Sequence, residues 1–165
     1  MDTEKVLLGK QLLIVDDEQD ILETLTGLLN LCKIDRASSF EEAERLLERY
    51  EYDLVVLDIM GVKGFELLEI ANKRNIPALM LTAHALNEES LTKSMREGAA
   101  YFVPKDKMDE IATYVADVLE AKESNKNPWT RWFDKLADFF DVAFTGPNWR
   151  EQKKEFLEKV KRSPY

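Results

Sequence analysis

The chain has 165 residues, 45% of them hydrophobic, with 32 acidic against 23 basic side chains and a formal net charge of −9. That is enough apolar material for one sizeable core and a small appendage. So acidic a balance argues against nucleic acid or an anionic membrane surface as partner, and a single cysteine, Cys32, excludes an internal disulfide.

Taken in order, the start "MDTEKVLLGK" is acidic and its apolar portion is too short for a signal peptide. No segment approaches the ~20 apolar residues of a membrane span, so a cytoplasmic protein is expected. "QLLIVD" is a continuous apolar run, as in a strand covered on both faces. "DEQDILETLTGLLNLC" sets Ile21, Leu22, Leu25, Leu28 and Leu29 at helical spacing. Cys32 in "LLNLCKI" reads as a small buried hydrophobe. "KIDRA" is a short second strand. Ser39 caps "FEEAERLLERY", with Glu42 three residues on, as in a capping box. "DLVVLD" is the third strand; a loop with Gly61 and Gly64 leads to the helix "FELLEIANKR". "PALML" is the fourth strand. Asn87 caps "EESLTKSMREG", which Gly98 ends. "AYFV" is the fifth strand and "DKMDEIATYVADVLEAK" the fifth helix. This alternation with short connections predicts an α/β fold: a doubly wound parallel sheet with helices on both faces.

After residues 1–122, "ESNKNP" at 123–128 loses apolar periodicity and reads as a linker. Residues 129–165 form an extension of different character, expected to be a helical hairpin. From residue 123 onward there are nine Lys or Arg against seven Asp or Glu, so the acidity belongs to the body. Asn127 and Pro128 suit an N-cap and first helical position. Gly146-Pro147 reads as a stop and a new start, giving helices over roughly 128–144 and 148–162. The stripe Trp129, Trp132, Phe133, Leu136, Phe139, Phe140 and Phe144 follows helical spacing. Such a face is ordinarily core. The alternative is a partner-binding or dimerising surface, since a stripe of this size left in water would be an aggregation hazard; as a membrane face it lacks the expected basic flank, because Arg131 and Lys135 mix with Asp134, Asp138 and Asp141. The last predicted helix is more basic, as a solvated face usually can be.

The apolar strands one and three both end in carboxylates: Asp16 and Asp17 on the first, Asp58 on the third. In open parallel sheets ligand chemistry collects at the carboxyl ends of the strands, near the topological switch point. If strands one and three are neighbours they lie about 4.8 Å apart, and these acids then converge and raise one another's pKa unless a cation is present. A hard divalent ion such as Mg²⁺ suits oxygen ligands beside a phosphate. Strand four ends in the hydroxyl of Thr82, and strand five is followed by the ammonium of Lys105, which can hold a phosphoryl oxygen. A carboxylate can act as the nucleophile on phosphorus, and phosphoryl transfer asks mainly for positioning and neutralised charge.

With "VDDE", "VVLD", "MLTA" and "GAAYFVPK" in that order at successive strand ends, the chain from about Lys10 to Lys122 resembles the receiver domains of two-component response regulators, the CheY-like family. The resemblance implies a flavodoxin-like sheet of order 2-1-3-4-5. It implies that Asp58 is the phosphoacceptor, that Asp17 binds Mg²⁺ directly and Asp16 largely through water, and that the Met60 backbone carbonyl completes the protein ligands. Thr82 and Lys105 would bind the phosphoryl group, and Phe102 would be the aromatic switch residue moving with Thr82. His84, the only histidine, would sit near the site mouth and modulate hydrolysis; alone, it is a poor candidate for a metal ligand. A sensor histidine kinase would be the phosphoryl donor, and output would run through an unknown downstream protein or a homodimer. The loop "IMGVKG" after Asp58 is about two residues shorter than is usual in the family, and Lys105 follows a proline rather than preceding one.

Two other function classes compete. A Mg²⁺-dependent phosphatase with an aspartyl nucleophile would carry a second Asp two residues after it, where this chain has Met60. A DNA-binding transcriptional regulator would use the tail, but about 40 residues are few for such a domain and its aromatic stripe suits packing better than groove reading.

Overall fold

The computed structural model describes residues 2–83 and 88–143, the last four by backbone alone. His84, Asn87, Phe144 and the predicted helix at 148–162 lie outside the described residues. Five strands run β1 (Gln11–Val15), β2 (Lys33–Ala37), β3 (Leu54–Asp58), β4 (Ala78–Thr82) and β5 (Tyr101–Pro104). All pair in parallel, in the order β2-β1-β3-β4-β5. Between and around them lie α1 (Thr3–Leu7), α2 (Gln19–Leu28), α3 (Phe40–Arg49), α4 (Gly64–Lys73), α5 (Glu88–Arg96), α6 (Ile111–Glu123) and α7 (Trp129–Ala143). This is the doubly wound, flavodoxin-like arrangement expected, with the strand reversal between β1 and β3.

The strand sequences explain their positions. β3 and β4 are buried at every residue, and β1 at all but Gln11, so these three carry the core. The sheet's two edges are managed differently. β2 leaves Lys33, Asp35 and Arg36 exposed, and a charged edge resists addition of another strand. β5 is apolar and buried throughout although it has only β4 as a sheet neighbour. It is covered because α7 lies against it, with Trp129 and Trp132 each only 1% exposed.

Local expectations meet the structure unevenly. Ser39 caps α3 by accepting from Glu42 N at 3.2 Å, but the reciprocal bond falls one residue upstream, from Ser38 N to Glu42 Oε1 at 3.1 Å. Gly98 ends the α5 turn with φ +89, a conformation that favours glycine. Of the α2 stripe, Leu22, Leu25 and Leu29 are buried, whereas Leu28 is 37% exposed. The expected fifth helix begins later: Lys105–Glu110 is a 3-10 turn, and α6 starts at Ile111. The start of the chain, read without an element, forms α1, capped where Asp2 Oδ1 accepts from Glu4 N at 3.1 Å. Cys32 is half-buried and donates to the Leu7 carbonyl at 3.4 Å; burial pushes its thiol up to about 11, so it is not a reactive thiolate.

Candidate functional site

Sheet register assembles the site. Val15 stands opposite Leu57, so the next residues, Asp16 and Asp58, leave the sheet side by side. Asp58 pairs with Leu81, and Thr82 with Pro104, which places Thr82 one step beyond Asp58 and Lys105 one step beyond Thr82's partner. Four consecutive strands thus deliver their terminal polar side chains to one edge of the sheet.

There the ammonium of Lys105 is the hub. It lies 3.0 Å from Asp16 Oδ2, 3.2 Å from Glu18 Oε1 and 3.5 Å from Asp58 Oδ1. Asp16 and Asp58 are 0% and 4% exposed, so both charges are desolvated. Burial raises the Asp16 carboxyl above its ordinary value, against the pull of the Glu18 amide and Lys105. Burial likewise raises Asp58, with Lys105 and the Gly61 amide lowering it and Asp17 adding repulsion. Burial alone would lower Lys105, but Asp16, Asp58 and Glu18 outweigh it and hold the ammonium above its ordinary value.

The donor set fits a hard cation. Asp16 Oδ1 accepts from Glu18 N at 2.9 Å, while buried Oδ2 has the Lys105 charge beside it but no hydrogen-bonded partner, because that 3.0 Å contact lies outside hydrogen-bond geometry. Such an oxygen is costly unless a cation or donor reaches it. Asp16, Asp17 and Glu18 bring ligand oxygens within 4.8 Å of one another. The glycines keep the space open: a Cβ on Gly61 would overlap the Asp17 carboxylate, and one on Gly64 would overlap the Asp58 carbonyl. Gly61 N also donates to Asp58 Oδ2 at 3.2 Å. The short loop turns at Lys63, whose φ of 54 is left-handed, and closes with Gly64 N on Ile59 O at 3.1 Å.

The other expected residues take these places. Thr82 is buried, with its hydroxyl only loosely engaged by the Ala83 carbonyl at 3.4 Å. The Met60 side chain is 81% exposed in the loop beside Asp58. Phe102 is fully buried in β5. Tyr101 is committed elsewhere: it donates to Asp117 Oδ2 at 3.1 Å and stacks on Trp129 at 6.4 Å between ring centroids. Glu18 is the residue the sequence reading passed over. Its signal was present as the third acid of "VDDE", but only the fold shows that it reaches across to Lys105, 87 positions away.

Residues 12–116 match the response regulator receiver domain. The chain belongs to that family. Over 124 residues it is 34% identical to the heme response regulator HssR of Staphylococcus aureus strain Newman, covering 71% of this chain and 54% of that protein. The two-component response regulator ARR10 of Arabidopsis thaliana is 28% identical over 128 residues, 72% of this chain and 23% of its own length. The chain spans about half or less of the length of these curated relatives. A CheY-like receiver domain protein from Methanospirillum hungatei JF-1 superimposes with a TM-score of 0.65 at 24% identity, over 70% of this chain and 98% of that one. A response regulator structure from Chloroflexus aurantiacus J-10-fl gives 0.62 at 26% identity, over 68% and 98%. The family match ends at residue 116, before α7 begins at Trp129. The receiver is a phosphorylation-dependent signalling domain rather than a classical enzyme, in a family that works with histidine kinases and downstream targets. Among the described residues, no helix is long and apolar enough to cross a membrane.

Proposed function

We propose that Asp58 is the phosphoacceptor of this receiver. A carboxylate oxygen of Asp58 attacks phosphorus of a phosphohistidine on a sensor histidine kinase. The P–N bond breaks, and the departing imidazole keeps the electron pair and picks up a proton. Asp16, Asp17, Asp58 and the Met60 carbonyl are the groups that would hold Mg²⁺. When bound, that ion supplies charge neutralisation for the phosphoryl oxygens. Lys105 gives the same oxygens an ammonium already at the site, and Thr82 offers a hydroxyl donor one strand over. Phe102 is the switch residue, and His84, outside the described residues, modulates hydrolysis. The receiver occupies 1–122 and the extension 129–165, joined by 123–128, with output through protein–protein contact. Neither the phosphatase nor the DNA-binding reading gains an observation from the site.

The observation that carries this reading is the convergence of buried Asp16 and Asp58 on Lys105, beside the oxygen donors of Asp16, Asp17 and Glu18. Acetyl phosphate with Mg²⁺ is expected to give a phosphorylated species by intact mass. Asp58→Asn should abolish it and Asp17→Ala should slow it roughly tenfold or more, as loss of a direct metal ligand does, while the remote Glu51→Ala should not change it. Full labelling of the Asp58→Asn protein would overturn the assignment.

A further inference from the structure

The helix α7 is fixed to the receiver by more than an apolar face. The Trp129 indole donates to the Ala99 carbonyl at 2.9 Å, and the Trp132 indole donates to the Phe102 carbonyl at 2.7 Å. The two rings meet edge to face at 5.1 Å between centroids. Behind them, buried Asp117 of α6 receives three groups. Lys135 Nζ lies 2.6 Å from Oδ2, Tyr101 donates to the same oxygen at 3.1 Å, and Arg131 Nη1 lies 3.6 Å from Oδ1. Arg131 also pairs with Glu120 at 2.7 Å. Farther along, Lys107 of the 3-10 turn sits 5.5 Å over the Phe139 ring. The helix therefore grips β5 before, within and just after the segment that carries Phe102 and Lys105.

We propose that α7 is an intramolecular ligand of the β5 face and that its docking opposes phosphorylation of Asp58. The face fits a helix with paired indole donors and two cations, and the chain's own α7 fills it. This rests on the site reading given above. Lys105 reaches the Asp58 carboxylate from a position three residues past the Phe102 carbonyl that Trp132 holds. A phosphoryl group on Asp58 places oxygens between the carboxylate and Lys105, so the lysine segment must withdraw to keep its contact. The indole bond at 2.7 Å has little slack, because hydrogen bonds weaken steeply beyond about 3.2 Å. Movement of β5 outward costs α7 its donors, and a docked α7 holds β5 where the bare carboxylate wants it. Linkage makes the effect reciprocal: what phosphorylation does to α7 docking, α7 docking does to phosphorylation.

The test uses the full chain with Mg²⁺ and beryllium fluoride, a phosphoryl mimic that binds carboxylates. Fluorine NMR reports binding of the mimic, and hydrogen–deuterium exchange reports α7. The expected result is bound mimic together with faster amide exchange across Trp129–Phe139, while β1 and β3 stay protected. Trp132→Phe keeps an aromatic ring at this buried position and removes the pyrrole ring with its N–H donor. It should bind the mimic about three- to tenfold more tightly, the range a single net hydrogen bond supplies. Asp117→Asn, which weakens the ionic grip without touching the indoles, should shift affinity in the same direction. A purely structural α7 would leave mimic affinity unchanged in both variants. Bound mimic with unchanged or slower α7 exchange, or with unaltered affinity in both variants, overturns the proposal and leaves the site reading standing. If neither the wild-type chain nor either variant takes the mimic, both fall.

Discussion

The Asp58 side chain carries its charge at a cost. It is 4% exposed, and burial raises its carboxyl more than Lys105 and the Gly61 amide lower it. A carboxyl raised on folding holds its proton more tightly in the native state. Its contribution to stability is therefore fully present below the ordinary value of 3.8 and is lost as pH rises through the raised native value. At neutral pH, the ionised form is a standing penalty in the metal-free protein, and Asp16 adds to it in the same sense. Asp58→Asn keeps the shape, can still accept from Gly61, and leaves Lys105 with Asp16 and Glu18. It should raise the metal-free Tm at pH 7 by about 2–4 °C, the scale of 1 kcal/mol in a chain of this size. The gain should shrink as pH falls and the native carboxyl, whose affinity for the proton burial raises, takes it up. Thermal melts of both proteins at successively lower pH check it. A lower Tm for Asp58→Asn at pH 7 would mean that the ion pair with Lys105 outweighs desolvation.

At the scale of elements, the sheet was legible because its central strands are short apolar runs closed by turn residues and acids. "LLIVD" and "LVVLD" announce both the strand and the chemistry at its end. The site acids were legible for the same reason: a carboxylate directly after four apolar residues has few other uses. What stayed hidden was pairing across the sequence. Glu18 reads as one more helix-entry acid until Lys105 is placed beside it. Asp117 sits in "TYVADVLEA" between valines and alanines of a mostly apolar helix, and nothing local says that Tyr101, Arg131 and Lys135 meet there. Arg131 and Lys135 stand in the sequence as part of a mixed-charge face with Asp134, Asp138 and Asp141, and only the fold shows that they face Asp117 and Glu120. Five-residue α1 and the 3-10 turn after β5 were too short to show a period. The packing of α7 sets a graded expectation. Trp132→Ala removes a fully buried indole and strands the Phe102 carbonyl, so it should cost about 3–5 kcal/mol. Lys135→Ala takes one of three partners from Asp117, but Lys135 is itself 39% exposed, so solvent screening should hold the cost to about 1 kcal/mol. Urea denaturation of the three proteins gives both numbers; equal costs would show that the ionic contacts, not the indoles, fix the helix.

For the whole molecule, the contrast between the two sheet edges is the deciding feature. The β2 edge is charged and needs no cover. The β5 edge is apolar at every position, with Tyr101 and Phe102 fully buried, and its cover is supplied by α7. The helix in turn has no core of its own among the described residues: Trp129, Trp132 and Leu136 are buried in the common cluster with β5 and α6. Neither part is complete alone, so receiver and α7 should unfold together. In urea, tryptophan fluorescence of a Trp149→Phe chain, which reports Trp129 and Trp132 of α7, and far-UV circular dichroism, dominated by the receiver, should give one coincident transition. A chain ended after Glu123 should lose that cover. It exposes the Ala99 and Phe102 carbonyls, the Tyr101 ring and buried Asp117 without its two cations. The expected outcome is a lower Tm and concentration-dependent self-association by light scattering, through an edge and apolar face left open. If the shortened chain stays monomeric and melts at the full-length temperature, α7 is an ornament on a self-sufficient receiver, and the edge must be protected by β5 itself.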